Sequence, residues 1–378
     1  MHNYSYWEQT AFLNQADVIV IGSGIVGLNA ALQLKSLKPV LKVTVLERGF
    51  LPSGASTKNA GFACFGTVSE QLALLQYASE SEVTQLVDFK YRGLKRLREK
   101  LGDTNIDYHE HGGYELFMND NPERAELSIS QIDRLNKLLA PVIGRTDIYA
   151  VADEKIADFG FKGVNHLIYN TCEGQIHTGK MMRTLLAKAQ GVDVQVLNNC
   201  EVERIENQGN HIEILTAQGN FKTQKVIIAT NAFAKQLFPH LDVIPGRGQV
   251  LITKPVDNLK LKGTYHFDGG YYYFRNIDGR VLFGGGRNLD FEAEQTTEFG
   301  HTERIKQKLL EYLRQVILSG QPFEVDYWWS GIMGFGDNIN PIITEIEPDV
   351  FCAVRCNGMG VAMGTLVGEQ VAELALKS

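Results

Sequence analysis

The chain alternates between short apolar runs and glycine-rich breaks. DVIVI, 17–21, is an apolar run that stops at Gly22, the pattern of a parallel strand buried on both faces. A helical periodicity follows to Leu37, and Pro39 closes it. KVTVLE, 42–47, reads as a second strand, so the sequence opens with a strand–loop–helix–strand unit. Residues 70–101 place Leu72, Leu75, Leu86, Leu94 and Leu97 at helical spacing, and HGGYELFMN, 111–119, reads as a strand entered through glycines. Helices are expected over 121–140, with Pro122 in the first turn, and over 177–192, stopped by Gly191. VDVQVL, VERIEN, HIEIL and FKTQKVIIAT then alternate as strands, with the glycines of NQGN and AQGN at hairpin turns.

From Gly246 the pattern changes. QVLITK, GGYYYFRN and RVLFGGG alternate as antiparallel strands do, with Asp278-Gly279 turning between two of them, and a helix follows over 300–318. The final thirty or so residues read as a strand, a glycine-rich loop and a helix. The fold class expected is α/β: a Rossmann-like dinucleotide domain, discontinuous in sequence, with an α+β substrate domain built on an antiparallel sheet. The expected boundaries are 1–80, 145–240 and 330–378 for the first domain, and 81–144 and 241–329 for the second.

Composition narrows the class. With 378 residues, 44% of them hydrophobic, the chain is long enough for two or three cores and too apolar for disorder. A net charge of -7 argues against nucleic acid as the partner. Cys64, Cys172, Cys200, Cys352 and Cys356 show neither CxxC nor zinc-like spacing with histidine, so free thiols and no metal are expected. MHNYSYWEQTAFLNQAD lacks the basic and apolar regions of a secretory signal, and no apolar run reaches membrane-spanning length. A cytoplasmic location is the resulting expectation.

Three segments carry candidate chemistry. Gly22, Gly24 and Gly27 fit G-x-G-x-x-G between the first strand and helix, with Ile25 and Val26 in the helix's first turn. Such glycines allow a tight turn, close backbone approach to a pyrophosphate, and close helix–strand packing. The helix N-terminus offers free N–H groups to phosphate. Glu47, at the end of the second strand and followed by Arg48, can accept hydrogen bonds from ribose hydroxyls, and an acid there disfavours a 2′-phosphate. The motif does not separate FAD from NAD. The second segment is GASTKNAGFACFG, 54–66, almost all small residues around Ser56, Thr57, Lys58 and Asn59. The third is RCNGMGVAMG, 355–364, in which Gly358 and Gly360 open a helix and Gly360, Gly364 and Gly368 line one face of it.

The order of fingerprint, ERG and GAS-x-x-N-x-G, followed by CEGQIHTGK, VIIATNAFA, GRVLFGG and GMGVAMGTLVGEQVAEL, resembles the D-amino-acid oxidase and glycine oxidase superfamily over nearly the whole chain. NGMG and FGGGR look nearer to γ-glutamylputrescine oxidase-like members. The resemblance implies non-covalent FAD and the oxidation of a C–N bond of an amine or amino acid. Hydride would pass to flavin N5, the imine product would hydrolyse, and O2 or a quinone-type acceptor would take the electrons. It places Ser56, Thr57, Lys58, Asn59, Ala60 and Gly61 along the ribityl chain and ring, and Val202, Thr230 and Asn231 on the dinucleotide. It brings Gly358, Met359, Gly360, Val361 and Ala362 to the flavin, where a helix N-terminus stabilises reduced-flavin charge. Lys58 either supplies positive charge to the reduced ring or points to solvent. Tyr272 matches the substrate-site tyrosine of glycine oxidase, against a purely structural aromatic ladder. Arg287 either contacts an acidic substrate group or is a surface arginine. The superfamily's W-x-G-x-R motif appears as Trp329-Ser330-Gly331-Ile332-Met333, so its carboxylate-binding arginine is a methionine. No histidine or carboxylate presents itself as a base; His266 reads as structural. The alternatives are a flavin dehydrogenase of 2-hydroxy acids and a redox-silent dinucleotide sensor.

Overall fold

The computed structural model describes residues 3–13 and 15–378 and places the strands in two eight-stranded sheets and one two-stranded sheet. In the first sheet, Val350–Val354, Gly219–Ile228, Ala16–Ile21, Val43–Leu46 and Val194–Leu197 run parallel in that order. Ile342–Glu347 adds antiparallel at one edge, and Val202–Asn207 and Ile212–Thr216 form a meander off Gly219–Ile228. Ile19 and Ile21 face one side of this sheet and Val18 and Val20 the other, and all four are buried. This two-sided burial is why the strands read as unbroken apolar runs. The C-terminal helix Gly360–Lys377 lies on the fingerprint helix Ile25–Leu37, and a Cβ at Gly368 would sit 2.4 Å from the Val26 carbonyl. The small-residue face therefore serves tight packing inside one core.

The second sheet runs Val325–Phe335, Ile244–Thr253, Arg280–Gly285, Tyr272–Ile277, Thr264–Phe267, Gly113–Met118, Val164–Asn170 and Tyr149–Val151. All neighbours are antiparallel except Thr264–Phe267 with Gly113–Met118. One face packs an aromatic core of Tyr265, Phe267, Tyr272, Phe274 and Phe283 against the helix Glu303–Tyr312. The other face carries a transverse row of paired residues: Glu115, His266, Tyr273, Gly284, Val250 and Trp329.

Several expected boundaries move. Tyr149–Val151 and Val164–Asn170, placed by the sequence reading in the dinucleotide domain, pair into the second sheet, as does all of Val325–Phe335. Alternation identifies a strand but not its partner. The continuous helix expected over 70–101 is two, Val68–Leu74 and Glu80–Leu101, because Ser79 and Glu82 form a capping box that starts a new helix. The 121–140 helix likewise divides into Pro122–Ser130 and Ile132–Ile143. No helix among the described residues is long and apolar enough to cross a membrane.

Candidate active site

A cavity of about 1060 Å³ runs from the carboxyl ends of the parallel strands to the second sheet. It lies at the upper end of small-molecule pocket sizes. Gly22, Gly24, Ile25, Val26, Glu47, Arg48, Val202, Thr230 and Asn231 line its dinucleotide end. Gly22 has φ +105°, and a Cβ there would stand 2.8 Å from the Ala229 carbonyl, so only glycine fits the turn. Gly24 caps the helix without a side-chain hydrogen bond, while Ser56 Oγ accepts from Ile25 N at 2.9 Å and locks the 54–66 loop to that helix end. A Cβ at Gly24 would meet the same Oγ at 2.8 Å. Gly27 lies outside the cavity, where a Cβ would collide with the Gly22 carbonyl at 1.9 Å. Its role is packing.

Glu47 departs from the expectation in detail. Its Oε2 accepts from Ser23 N (3.1 Å) and Ser23 Oγ (2.7 Å), and its Oε1 from Gly49 N (2.9 Å) and Ser53 Oγ (3.2 Å). A carboxylate has about four acceptor sites, so the protein itself occupies this one and uses it to join the fingerprint turn to the 47–53 loop. Arg48 lies over the Phe233 ring at 3.7 Å.

The glycine-rich loop is held from four sides. Asn59 spends its amide on Ser56 O (2.8 Å), Gly61 N (2.9 Å) and Thr178 Oγ1 (2.9 Å). Arg275 Nη1 donates to Gly61 O (2.9 Å) and Ile176 O (2.7 Å), and Lys90 Nζ to Phe65 O (3.2 Å). Glu173 Oε1 accepts from both Phe65 N (2.9 Å) and Gly66 N (3.1 Å), and burial pushes its carboxyl up to about 8. Ser56, Lys58, Asn59 and Ala60 face the cavity. Thr57 does not: it is exposed and donates to Pro52 O at 2.6 Å. Gly61 also turns away, because Arg275 and the Ile176 carbonyl fill the space a side chain would need. Gly358, Met359, Gly360, Val361 and Ala362 complete the cavity's opposite wall. Cys356 lines it too, and burial pushes its thiol up to about 12, so it stays protonated.

At the second sheet, strand alternation corrects the tyrosine assignment. Tyr272 is buried on the aromatic face, stacked on Phe267 with centroids 4.8 Å apart, and lies outside the cavity. Tyr273, one residue on, points the other way into the cavity, where burial pushes its hydroxyl up to about 12. Arg287 lines the same region, 4.1 Å over the Phe335 ring, and burial lowers its pKa. No acidic side chain pairs with it among the described residues. Met333 is in this wall as well. His266, read as structural, lines the cavity with both ring nitrogens unpartnered, edge-on to Phe62 at 4.9 Å. Lys90 and Glu173 were missed because mid-helix or loop charges carry no local signal of burial.

The sequence model described as DAO, FAD dependent oxidoreductase, matches residues 17–374. The chain belongs to this family of FAD-dependent oxidoreductases. Among curated relatives, it is 23% identical to the probable oxidoreductase OrdL of Haemophilus influenzae, covering 96% of this chain and 84% of the relative. It is 24% identical to the sarcosine oxidase subunit beta of Rhizobium meliloti, covering 91% and 80%. Its fold is similar to that of glycine oxidase from Geobacillus kaustophilus (TM-score 0.77, 20% identity, 96% and 95% covered). L-proline dehydrogenase from P. horikoshii is also similar (TM-score 0.73, 21% identity, 96% and 94% covered). The resemblance read from the sequence holds for the superfamily; none of these comparisons singles out γ-glutamylputrescine oxidase.

The cavity suits the family's cofactor by its own geometry. The fingerprint helix starts at Gly24 on the cavity wall, and Thr230 Oγ1 and Asn357 Oδ1, buried and unpartnered on the same walls, await a polar ligand.

Proposed function

We propose that this oxidoreductase oxidises the C–N bond of an amine that carries a carboxylate, and that Arg287 is the group that anchors it. The observation carrying this reading is a guanidinium in the cavity wall with aromatic neighbours and no acidic partner among the described residues. A half-buried arginine without a counter-ion is costly unless an anion arrives. A substrate carboxylate supplies one, with bidentate geometry available. This answers the loss of arginine at Met333: the cation enters the same wall from just beyond the end of Arg280–Gly285, two strands away. Tyr273, protonated and facing the cavity, can donate to the same carboxylate. Relatives named sarcosine oxidase, glycine oxidase and L-proline dehydrogenase support an amino-acid substrate.

In this reading Gly22, Gly24, Ser56, Thr230 and the 358–362 segment hold FAD. The chemistry FAD supplies when bound is acceptance of hydride from the carbon beside the substrate nitrogen, which leaves an imine for water to hydrolyse. The protein's work is placement. Arg287 and Tyr273 fix the carboxylate end, and the aromatic walls exclude water.

The test is anaerobic mixing of the purified holoenzyme with sarcosine, glycine, L-proline and other amino acids, and in parallel with lactate and glycolate. Bleaching of the flavin band by an amino acid supports the reading. Bleaching by hydroxy acids alone converts it to C–O oxidation, and bleaching by neither class overturns it.

A further inference from the structure

Arg287 stands at the start of a segment that passes from one face of the second sheet to the other. Pairing of Arg280–Gly285 with Ile244–Thr253 ends with Gly285 opposite Gln249. Beyond it the chain makes two short turns of helix, Arg287–Leu289 and Phe291–Glu294. Along Ile244–Thr253, alternation puts Gly246 and Gly248 on one face and Arg247 and Gln249 on the other. A Cβ at Gly246 would stand 2.6 Å from Phe335 Cε2 and 3.4 Å from Arg287 Nη1, and Phe335 and Arg287 both line the cavity. Arg247, Gln249 and Glu294 do not line it.

Glu294 is fully buried, and Arg247 forks its carboxylate: Nε donates to Oε2 and Nη2 to Oε1, each at 2.9 Å. Gln249 Nε2 (2.9 Å) and Thr302 Oγ1 (3.3 Å) donate to the same Oε1. Arg247 Nη2 also reaches Ala293 O at 3.3 Å, and Nη1 reaches Glu298 O at 3.4 Å. A buried ion pair is weak evidence for stability, because desolvation offsets much of the attraction. What a two-bond fork does supply is direction. Here it fixes the end of the turn that carries Phe291. The Arg287 guanidinium lies between the Phe291 and Phe335 rings, 5.1 and 4.1 Å from their centroids. Phe335 belongs to the sheet itself, in Val325–Phe335. The near end of the segment is held by Gly286 N on Tyr271 O (2.9 Å) and by Asn288 on Asp268 (2.8 Å). The Phe291 end is held through Glu294.

We propose that Arg247 and Glu294 are positioning residues for Arg287: from the face of the sheet opposite the cavity, their buried pair holds the Phe291 side of the aromatic slot in which the guanidinium lies. The consequence for substrate rests on the carboxylate anchor proposed above; the positioning does not.

Two readouts on the holoenzyme test this without turnover. The first is amide hydrogen exchange. Glu294→Gln should speed exchange in residues 287–294 and leave Tyr272–Ile277 at the parent rate. The second is affinity for propanoate against its neutral isostere propanamide, taken from perturbation of the flavin absorption spectrum. The parent should prefer propanoate by at least ~10-fold, as a hydrogen bond to a charged group warrants. Glu294→Gln should lower that ratio toward the value of Arg287→Met while propanamide affinity holds. The double variant Arg247→Met/Glu294→Leu replaces the pair by apolar side chains, a change that buried ion pairs often tolerate. It should give the same two results and so guards against a simple failure to fold. Parent exchange rates at 287–294 in a folded variant overturn the positioning. So does an equal loss of both ligands, the mark of general loosening, or a propanoate preference that survives faster exchange. A parent protein without any propanoate preference, combined with faster exchange in Glu294→Gln, overturns the carboxylate anchor and leaves the positioning standing.

Discussion

Arg275 reaches from the second sheet to the carbonyls of Gly61 and Ile176, at 2.9 and 2.7 Å from the same Nη1. One buried guanidinium thereby ties the substrate-side sheet to the loop that faces the cavity and to the strand beside it. Arg275→Met leaves the Ile176 carbonyl without its donor, at ~1–3 kcal/mol, while Gly61 O keeps the bond from Ile176 N at 2.9 Å. The expected outcome is a lower melting temperature together with faster release of FAD on dilution, read by flavin fluorescence.

Arg287 is expected to act on substrate rather than on the fold. Arg287→Met should weaken the apparent affinity for any carboxylate-bearing amine by ~10²-fold, from loss of a charge-assisted pair, while FAD content stays at that of the parent protein. Equal affinity in parent and variant, measured by anaerobic flavin reduction, would remove Arg287 from the site.

The two neighbouring tyrosines separate by face. Tyr273→Phe should change substrate kinetics with little change in stability. Tyr272→Ala should instead destabilise by ~3–5 kcal/mol, as large core truncations do, because it removes a ring stacked on Phe267. Thermal melts and reduction kinetics on both variants check this.

Glu173 gives a pH dependence with a definite sign. Burial raises its carboxyl from 4.5 to about 8 in the folded chain, so the folded state holds the proton more tightly than the unfolded one. Its contribution to stability is therefore full below the unfolded value and is lost as pH rises toward 8. Both backbone N–H groups bond to the same oxygen, Oε1, which a neutral carboxyl or an amide can also offer. Glu173→Gln should keep the loop in place and flatten the fall in melting temperature between about pH 5 and 8 relative to the parent.

FAD should leave the protein on acid precipitation. Cys356, whose thiol burial holds at about 12, supplies no thiolate to bond the ring. Flavin absorbance in the supernatant is the expected result, and flavin retained in the pellet would reverse it.

Much of the dinucleotide end was legible along the chain because its chemistry is local. A strand that stops at Gly22, a helix that starts after Gly24 and a small-residue loop at 54–66 lie within about fifty residues, and each is fixed by backbone sterics and burial that show in composition and spacing. Alternation along Tyr272–Ile277 puts Tyr272 and Tyr273 on opposite faces whichever way the strand is turned.

Sequence alone determined the family, the fingerprint turn and the alternation of the strands. Tertiary structure decided which face of each strand meets the cavity, and so exchanged Tyr272 for Tyr273. It also decided which charges are paired. Glu47 is consumed by Ser23, Gly49 and Ser53, while Arg287 stands between the Phe291 and Phe335 rings with no ion pair among the described residues. Pairing of charges depends on separations of a few ångströms set by strand register, and register exists only once the sheets have formed.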